Sequence, residues 1–385
     1  MTAKPTILIL CDWFLPGYLA GGPIQSVATL TKQLGNELNF KIITTDRDFR
    51  SDRAYGNVKI NEWTNFEGRE VFYVSPENMN AGFILKLIQN TTHDRLYLNS
   101  LFSKLFTIYP LKWKQQGKIS SNIVLAPRGM LRDGALAVKP LKKQLFLLYA
   151  KLTGLFKNVH WQSTSAEETT EIKKRIGANA RLSQVSNLPA LAGEIKSIEK
   201  RPGSLQLCFI ARMVDIKNLN FAIEVLKEIK NAAITFDVYG PKEDEAYWNL
   251  CETNSKTLPA NIAFTYRSVL KPEEIGTTIS RYHALLLPTQ TENFGHIIAE
   301  TFSNARPVVI SNQTPWTGLE AKNVGFDIAL NNKAKFVEAI KQLAALDQEG
   351  FDAMSKNCET YMQSKLNLAE IKHQYLMLFG AKQPS

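Results

Sequence analysis

Cysteine is scarce in this chain. Four residues in 385, Cys11, Cys208, Cys251 and Cys358, lie far apart with no CxxC spacing. That excludes a disulfide framework and a sequence-local zinc site. Three of the four fall in apolar or helical patterns, where a thiol is expected to be buried and free, as suits a reducing cytoplasm. The five histidines, His93, His160, His283, His296 and His373, form no close ligand pair. No uninterrupted apolar run approaches the roughly 18 residues of a spanning helix. No signal-peptide pattern precedes the first strand, because Lys4-Pro5 runs directly into Thr6-Ile7-Leu8-Ile9-Leu10. A cytoplasmic protein is expected, soluble or peripheral on the inner face of the membrane.

Negative charge is also short, but only in the first half. Residues 1–190 hold 25 Lys and Arg against 14 Asp and Glu, whereas the remainder holds 21 against 22. The whole net charge of +10 therefore belongs to the first half. Such asymmetry predicts an anionic partner there: a membrane surface, a phosphate-bearing acceptor or nucleic acid. No recognition module for nucleic acid accompanies the charge, so no nucleic-acid partner is expected.

What is present is ordinary globular composition, 44% hydrophobic and 21% charged, at a length suited to two domains of roughly 180 residues each. Apolar β-type runs alternate with helix-length amphipathic segments, the signature of parallel α/β layers. Strands are predicted at 7–10, 41–44, 70–73, 96–98, 123–125, 159–162 and 182–185. A second series is predicted at 206–210, 235–239, 262–265, 284–287, 308–310 and 325–328. Helices are predicted over 25–34, 165–174, 219–229 and 333–345, and the tail from 351 to 379 reads as helical throughout. The stretch 188–203, with Pro189, Gly193, Pro202 and Gly203, has the punctuation of a linker. The expected domains are 1–190 and 191–360, followed by a C-terminal helical segment, 361–385.

The most informative segment is Glu292-Asn293-Phe294-Gly295-His296-Ile297-Ile298-Ala299-Glu300. It follows the buried-strand run Ala284–Leu287, and the helical pattern after it stops at Arg306-Pro307. One carboxylate is thus predicted in the loop after a strand, and the other about two turns into the next helix. Ligands of open α/β sheets bind at that end of the strands. Gly295 lets backbone N–H groups at the helix start approach a ligand closely, and a carboxylate there can accept two sugar or ribose hydroxyls. Arg212 and Lys217, in the loop after strand 206–210, suit two phosphates, one taken by a fork and the other by a point charge. Gly21-Gly22-Pro23 opens a helix after the first strand and offers free N–H groups to an anion. Asn99 and Arg128, each following a strand of the first series, are further candidates; for Arg128 a loop-ordering role stays open beside a binding one.

The segment Thr291–Trp316 resembles the nucleotide-sugar signature of family 4 retaining glycosyltransferases of GT-B fold. The resemblance implies an α/β architecture of two Rossmann-like, doubly wound parallel-sheet domains facing across a cleft. The first domain would take the acceptor and the second the nucleotide sugar, with the C-terminal helix packing back on the first. It implies Glu300 on the ribose and Glu292 beside the donor sugar. Asn293 and the backbone of Phe294, Gly295 and His296 would lie against the sugar, and Arg212 and Lys217 on the pyrophosphate. Gly21 and Gly22 would face the donor phosphates across the cleft. Pro127-Arg128-Gly129-Met130-Leu131 is similar to an element of bacterial polysaccharide transferases. Many relatives have a histidine in this region where Arg128 stands, which leaves the group at the reacting centre open. Glu292, Arg212, Lys217 and Arg128 are the catalytic candidates.

The implied activity is metal-independent transfer of a hexose-type sugar from a nucleotide-diphosphate donor, most simply a UDP- or GDP-sugar. The acceptor would be a glycan or a lipid-linked precursor of capsule, lipopolysaccharide or another bacterial surface polysaccharide. No cofactor is expected beyond that donor. A GT-B nucleotide-sugar epimerase and a non-catalytic nucleotide-sugar-binding protein stay open as alternatives.

Three charged segments receive plainer readings. Asp46-Arg47-Asp48 matches an Asp-x-Asp metal motif only superficially and reads as a polar exit from a strand. Lys242-Glu243-Asp244-Glu245 reads as a charged helix start. Residues 139–157 combine lysines with leucine and aromatic residues, and allow either a core-facing helix with lysines outside or an interfacial helix on an anionic membrane.

Overall fold

The computed structural model describes residues 4–137, 139–190 and 195–381. Gly193 of the predicted linker lies outside them. The chain forms two compact units, Met1–Leu188 together with Leu368–Ser385, and Pro189–Asn367.

The first unit is built on β1 (Thr6–Leu10), β2 (Asn39–Thr45), β3 (Trp63–Phe66), β4 (Arg69–Val74), β5 (Arg95–Asn99), β6 (Asn122–Ala126), β7 (Val159–Ser163) and β8 (Leu182–Gln184). Their order in the sheet is β3-β4-β2-β1-β5-β6-β7-β8. The expectation of a wholly parallel sheet needs one correction, because β3 pairs antiparallel with β4. The hairpin forms through Glu67 and Gly68, both at positive φ (49° and 80°), the backbone of a tight turn whose twist matches that of its strands. WTNF carries too little alternation to announce a strand by itself. The remaining pairings are parallel. Runs such as Ile7–Leu10 and Leu96–Leu98 are fully buried, as strands of a sheet covered on both faces are.

The second unit holds β9 (Ser204–Ile210), β10 (Ala233–Tyr239), β11 (Ile262–Ser268), β12 (Ala284–Leu287), β13 (Val308–Ser311) and β14 (Gly325–Ile328), all parallel, in the order β11-β10-β9-β12-β13-β14. Each sheet grows outward in two directions from its first strand. A topological switch therefore lies between β1 and β5 in one unit and between β9 and β12 in the other, and ligands of such sheets bind outside the carboxyl ends at that point.

The tail is not one continuous helix. Gln348–Lys365 packs on the second unit, where Tyr361 meets Phe302 with ring centroids 5.1 Å apart. The chain leaves helical geometry at Leu366, and Leu368–Phe379 buries Ile371, Tyr375, Leu378 and Phe379 in the first unit. The crossing therefore falls after Asn367 rather than at 360, because the last turns of the preceding helix are still held by aromatic contacts of the second unit. Among the described residues all four cysteines are free and buried, and no helix is long and apolar enough to cross a membrane.

Candidate active site

In the second unit, two loops from neighbouring strands are laced together. The loop after β9 is admitted by Gly240 at the end of β10, whose φ is 136° and where a Cβ would stand 1.8 Å from the Ala211 carbonyl oxygen. Only glycine permits that approach. The Met213 N–H then donates to the Pro241 carbonyl at 2.9 Å. Across the switch point, the Gln290 N–H and the Thr289 hydroxyl both donate to the Ile216 carbonyl, at 2.8 and 3.0 Å. The Asn218 side chain donates to Pro288 O at 3.0 Å. Asn218 itself is left-handed (φ 63°), which turns the chain into the helix Leu219–Leu226.

This lacing brings Lys217 to Glu292, with Nζ 2.5 Å from Oε2 and both side chains largely buried (16% and 18% exposed). Arg212 pairs instead with Glu243, Nη1 to Oε2 at 2.6 Å. The two cations predicted for phosphates therefore each stand against a carboxylate. In the largely buried Lys217–Glu292 pair the carboxylate holds the long cationic side chain in one place, and removing either member leaves the other charge uncompensated; Arg212, 36% exposed, is held less tightly.

The loop from Glu292 to His296 is fixed from behind. The Glu292 N–H donates to Gln313 O at 3.0 Å, and Trp316 Nε1 donates to Phe294 O at 2.6 Å. Gly295 has φ 78°, and a Cβ there would meet Ile298 Cδ1 at 2.9 Å and Glu292 Cγ at 3.1 Å. Its left-handed backbone starts the helix His296–Ser303 without a side-chain cap, so helix-start N–H groups and the positive end of the dipole lie beside Glu292. Glu300 is buried, 5% exposed, on that helix. It lies little more than one turn in, not two, because the helix begins only at His296.

The first unit gathers its candidates in a different way. Gly21, at φ 69°, caps the helix Gly22–Leu34 with no side-chain cap. The preceding loop is shaped by Asp48, whose carboxylate accepts the N–H groups of Tyr18 (2.8 Å), Leu19 (3.0 Å) and Phe49 (2.7 Å). Asp46 takes Arg47 Nε at 2.8 Å. The two aspartates of the Asp-x-Asp segment thus serve separate partners. Asn99 Nδ2 donates to Pro23 O at 3.3 Å, while its Oδ1 accepts Arg128 Nε at 2.6 Å. The rest of the Arg128 guanidinium is engaged as well, Nη2 with Tyr97 Oη at 2.7 Å and Nη1 with Asn187 Oδ1. Tyr97 Oη in turn donates to Gln162 Oε1 at 2.6 Å, and Gln162 Nε2 donates to Tyr375 Oη at 2.9 Å. Arg128, at φ 54°, is therefore the hub of a network reaching the C-terminal helix.

Sequence reasoning missed several of these partners. Glu243 appears only as part of a charged helix start, yet it pairs with Arg212; the cap of that helix is Asp244, accepting the Tyr247 N–H at 3.0 Å. Asp12 lies two residues past the end of β1 at the switch point, where Ser103 Oγ donates to it at 2.7 Å. Burial raises its carboxyl above the usual range, against hydrogen bonds from Ser103 and Ser100. An acidic residue closing the apolar run Ile7–Cys11 of the first strand is the signal that could have marked Asp12. Nothing local marked Glu243 as an ion-pair partner.

Residues 193–361 match the family described as glycosyl transferases group 1. That region lies within the second unit and contains Arg212, Lys217, Glu292 and Glu300. No curated protein matches the chain by sequence. Solved structures do match along its whole length. Anabaena Alr3699/HepE in complex with UDP and glucose superposes with a TM-score of 0.71 at 13% identity, covering 98% of this chain and 100% of that one. Sucrose-phosphate synthase from Thermosynechococcus elongatus gives 0.72 at 13% identity, covering 98% of each chain. WaaG, a glycosyltransferase involved in lipopolysaccharide biosynthesis, gives 0.68 at 12%, covering 98% and 100%. The fold is that of GT-B glycosyltransferases.

Proposed function

We propose that this protein is a retaining glycosyltransferase. It would move a sugar from a nucleotide-diphosphate donor to a glycan or lipid-linked acceptor in the assembly of a bacterial surface polysaccharide such as capsule or lipopolysaccharide. The observation that carries the reading is the Lys217–Glu292 pair at 2.5 Å, held at the carboxyl ends of β9 and β12 inside the region that matches the transferase family.

In this reading Glu300 accepts the ribose hydroxyls and the backbone from Phe294 to His296 holds the sugar, with Asn293 beside it. Arg212 and Lys217 then neutralise the charge that grows on the departing diphosphate. Stabilising developing charge with preorganised groups is commonly the largest contribution of such sites. Glu292 plays two parts: it fixes Lys217 before the donor arrives, and it lies against the donor sugar afterwards. In this reading two cations and a helix start serve the leaving group, so transfer is expected without a metal. Complexes of Anabaena HepE with UDP and with UDP-glucose make a UDP-sugar the first donor to try, with GDP-sugars next.

The test is thermal shift against UDP-, GDP-, ADP- and CMP-sugars, with Lys217→Ala as control, followed by nucleotide release with and without a lipid-linked acceptor. Saturating donor at about 100 times its dissociation constant stabilises by roughly 2.7 kcal/mol. One donor class shifting wild type but not the variant, with acceptor-dependent release, is the expected result. Donor conversion without acceptor would identify an epimerase. Donor binding without any turnover would identify a non-catalytic binder, a reading favoured by the full engagement of Arg128 within its own unit.

A further inference from the structure

We propose that the outer face of the helix Pro140–Thr153 docks this protein on an anionic lipid bilayer, independently of the reading of the donor site. A core-facing helix would put its leucines inside and its lysines outside. This helix turns four of its five leucines outward, and Ala150 is the one residue it buries. Leu141, Leu145, Leu148, Tyr149 and Leu152 are 76%, 65%, 53%, 42% and 78% exposed. They account for more than half of the large hydrophobic side chains exposed among the described residues. At about 100° per residue these five fall within an arc of about 100°, a continuous apolar stripe.

The helix is not loosely attached. Its inner side holds Phe146 against Phe102 and Phe156, with centroids 5.8 and 6.2 Å apart. Lys143 turns inward as well, donating to Ala135 O at 2.6 Å with its ammonium 5.2 Å from the Phe102 ring. The outer stripe is therefore fixed toward solvent by its own anchors.

Charge identifies the occupant. Lys142 and Lys151 project on opposite flanks of the stripe, where a helix lying in a bilayer interface places its cations at headgroup level. From residue 101 to residue 157 the chain carries eleven Lys and Arg against a single acidic residue, Asp133, which is paired with Arg175. A second copy docking through this face would bring like-charged lysine rows together. A neutral apolar partner would leave them unused. An anionic lipid surface satisfies both halves at once, with leucines entering the acyl boundary and lysines meeting phosphate headgroups.

The experiment is flotation of the full chain with vesicles of phosphatidylcholine, alone or with a third phosphatidylglycerol. Expected is strong partitioning to the anionic vesicles, weakened by salt, and little to the neutral ones. The double variant Lys142→Gln, Lys151→Gln should lower partitioning about thirtyfold, on the order of 1 kcal/mol for each lysine. Leu145→Gln with Leu152→Gln should lower it more than about tenfold. Both pairs are surface positions, so melting temperatures should stay near wild type. Failure to bind anionic vesicles overturns the proposal, and so does undiminished binding by the leucine variant. A dimer in sedimentation that the leucine variant abolishes, without vesicle binding, would assign the face to a second copy instead.

Discussion

In both units the loops at the carboxyl ends of the strands gather polar side chains, but they hold them differently. The second unit sets each cation against one carboxylate, Lys217 with Glu292 and Arg212 with Glu243. A single pair can be re-partitioned when a phosphate arrives, because the cation keeps donors to spare. The first unit spreads one arginine over neutral acceptors, Asn99, Asn187 and the Tyr97 hydroxyl, and ties that network to Gln162 and Tyr375. A guanidinium with every nitrogen engaged orders a loop and leaves little for a ligand. The lesson is that an arginine in the expected loop is not by itself a binding arginine; what its donors already serve decides.

The sharpest way to break that contrast is Lys217→Ala. It should lower turnover by about 10²–10³-fold, as loss of a charge-stabilising group does, with folding retained by circular dichroism; wild-type rates would end the donor-site assignment. Glu300→Gln is next. Weakening a charge-assisted bond to ribose of about 1.5–3 kcal/mol should weaken donor binding roughly 10–100-fold, read by titration calorimetry. Arg128→Ala tests the other side of the comparison. It should cost about 1–3 kcal/mol of stability, because Asn99 and Tyr97 lose a partner, while donor affinity stays within about twofold of wild type. A large fall in donor affinity with normal melting would make Arg128 a ligand after all.

The smallest effect is pH. Burial holds His283 in the second unit and His93 and His160 in the first below the ordinary histidine value. His283 Nδ1 accepts the Gln206 N–H at 2.9 Å and cannot do so once protonated. For such groups the unfolded chain takes up protons first. Stability should therefore be fully present above about pH 6.5 and fall as pH drops below it. Melting curves between pH 5 and 8 check the sign, and His283→Asn should flatten part of the slope.

Much of the architecture was legible in the sequence because parallel strands buried on both faces are near-continuous apolar runs. Ala284–Leu287 and Gly325–Ile328 fall where those runs predict them. The edge strand Trp63–Phe66 was not legible, since its formation depends on a two-residue turn and on β4 as a template. Motif spacing also placed Glu292, Gly295 and Glu300 in one loop and helix, because glycine and proline punctuate the chain locally. Residue type could not say whether the leucines of 140–153 face in or out: a stripe and its complement have the same period, and only packing of Phe146 and Lys143 chose. Nor could it pair Lys217 with Glu292, 75 residues away. By itself the sequence determined the layers, the loops that carry charge and the basic character of the first half, all set by short-range pattern and composition. The partner of each charge was decided by the tertiary structure alone, because strand order makes β9 and β12 neighbours and electrostatics acts through space, not along the chain.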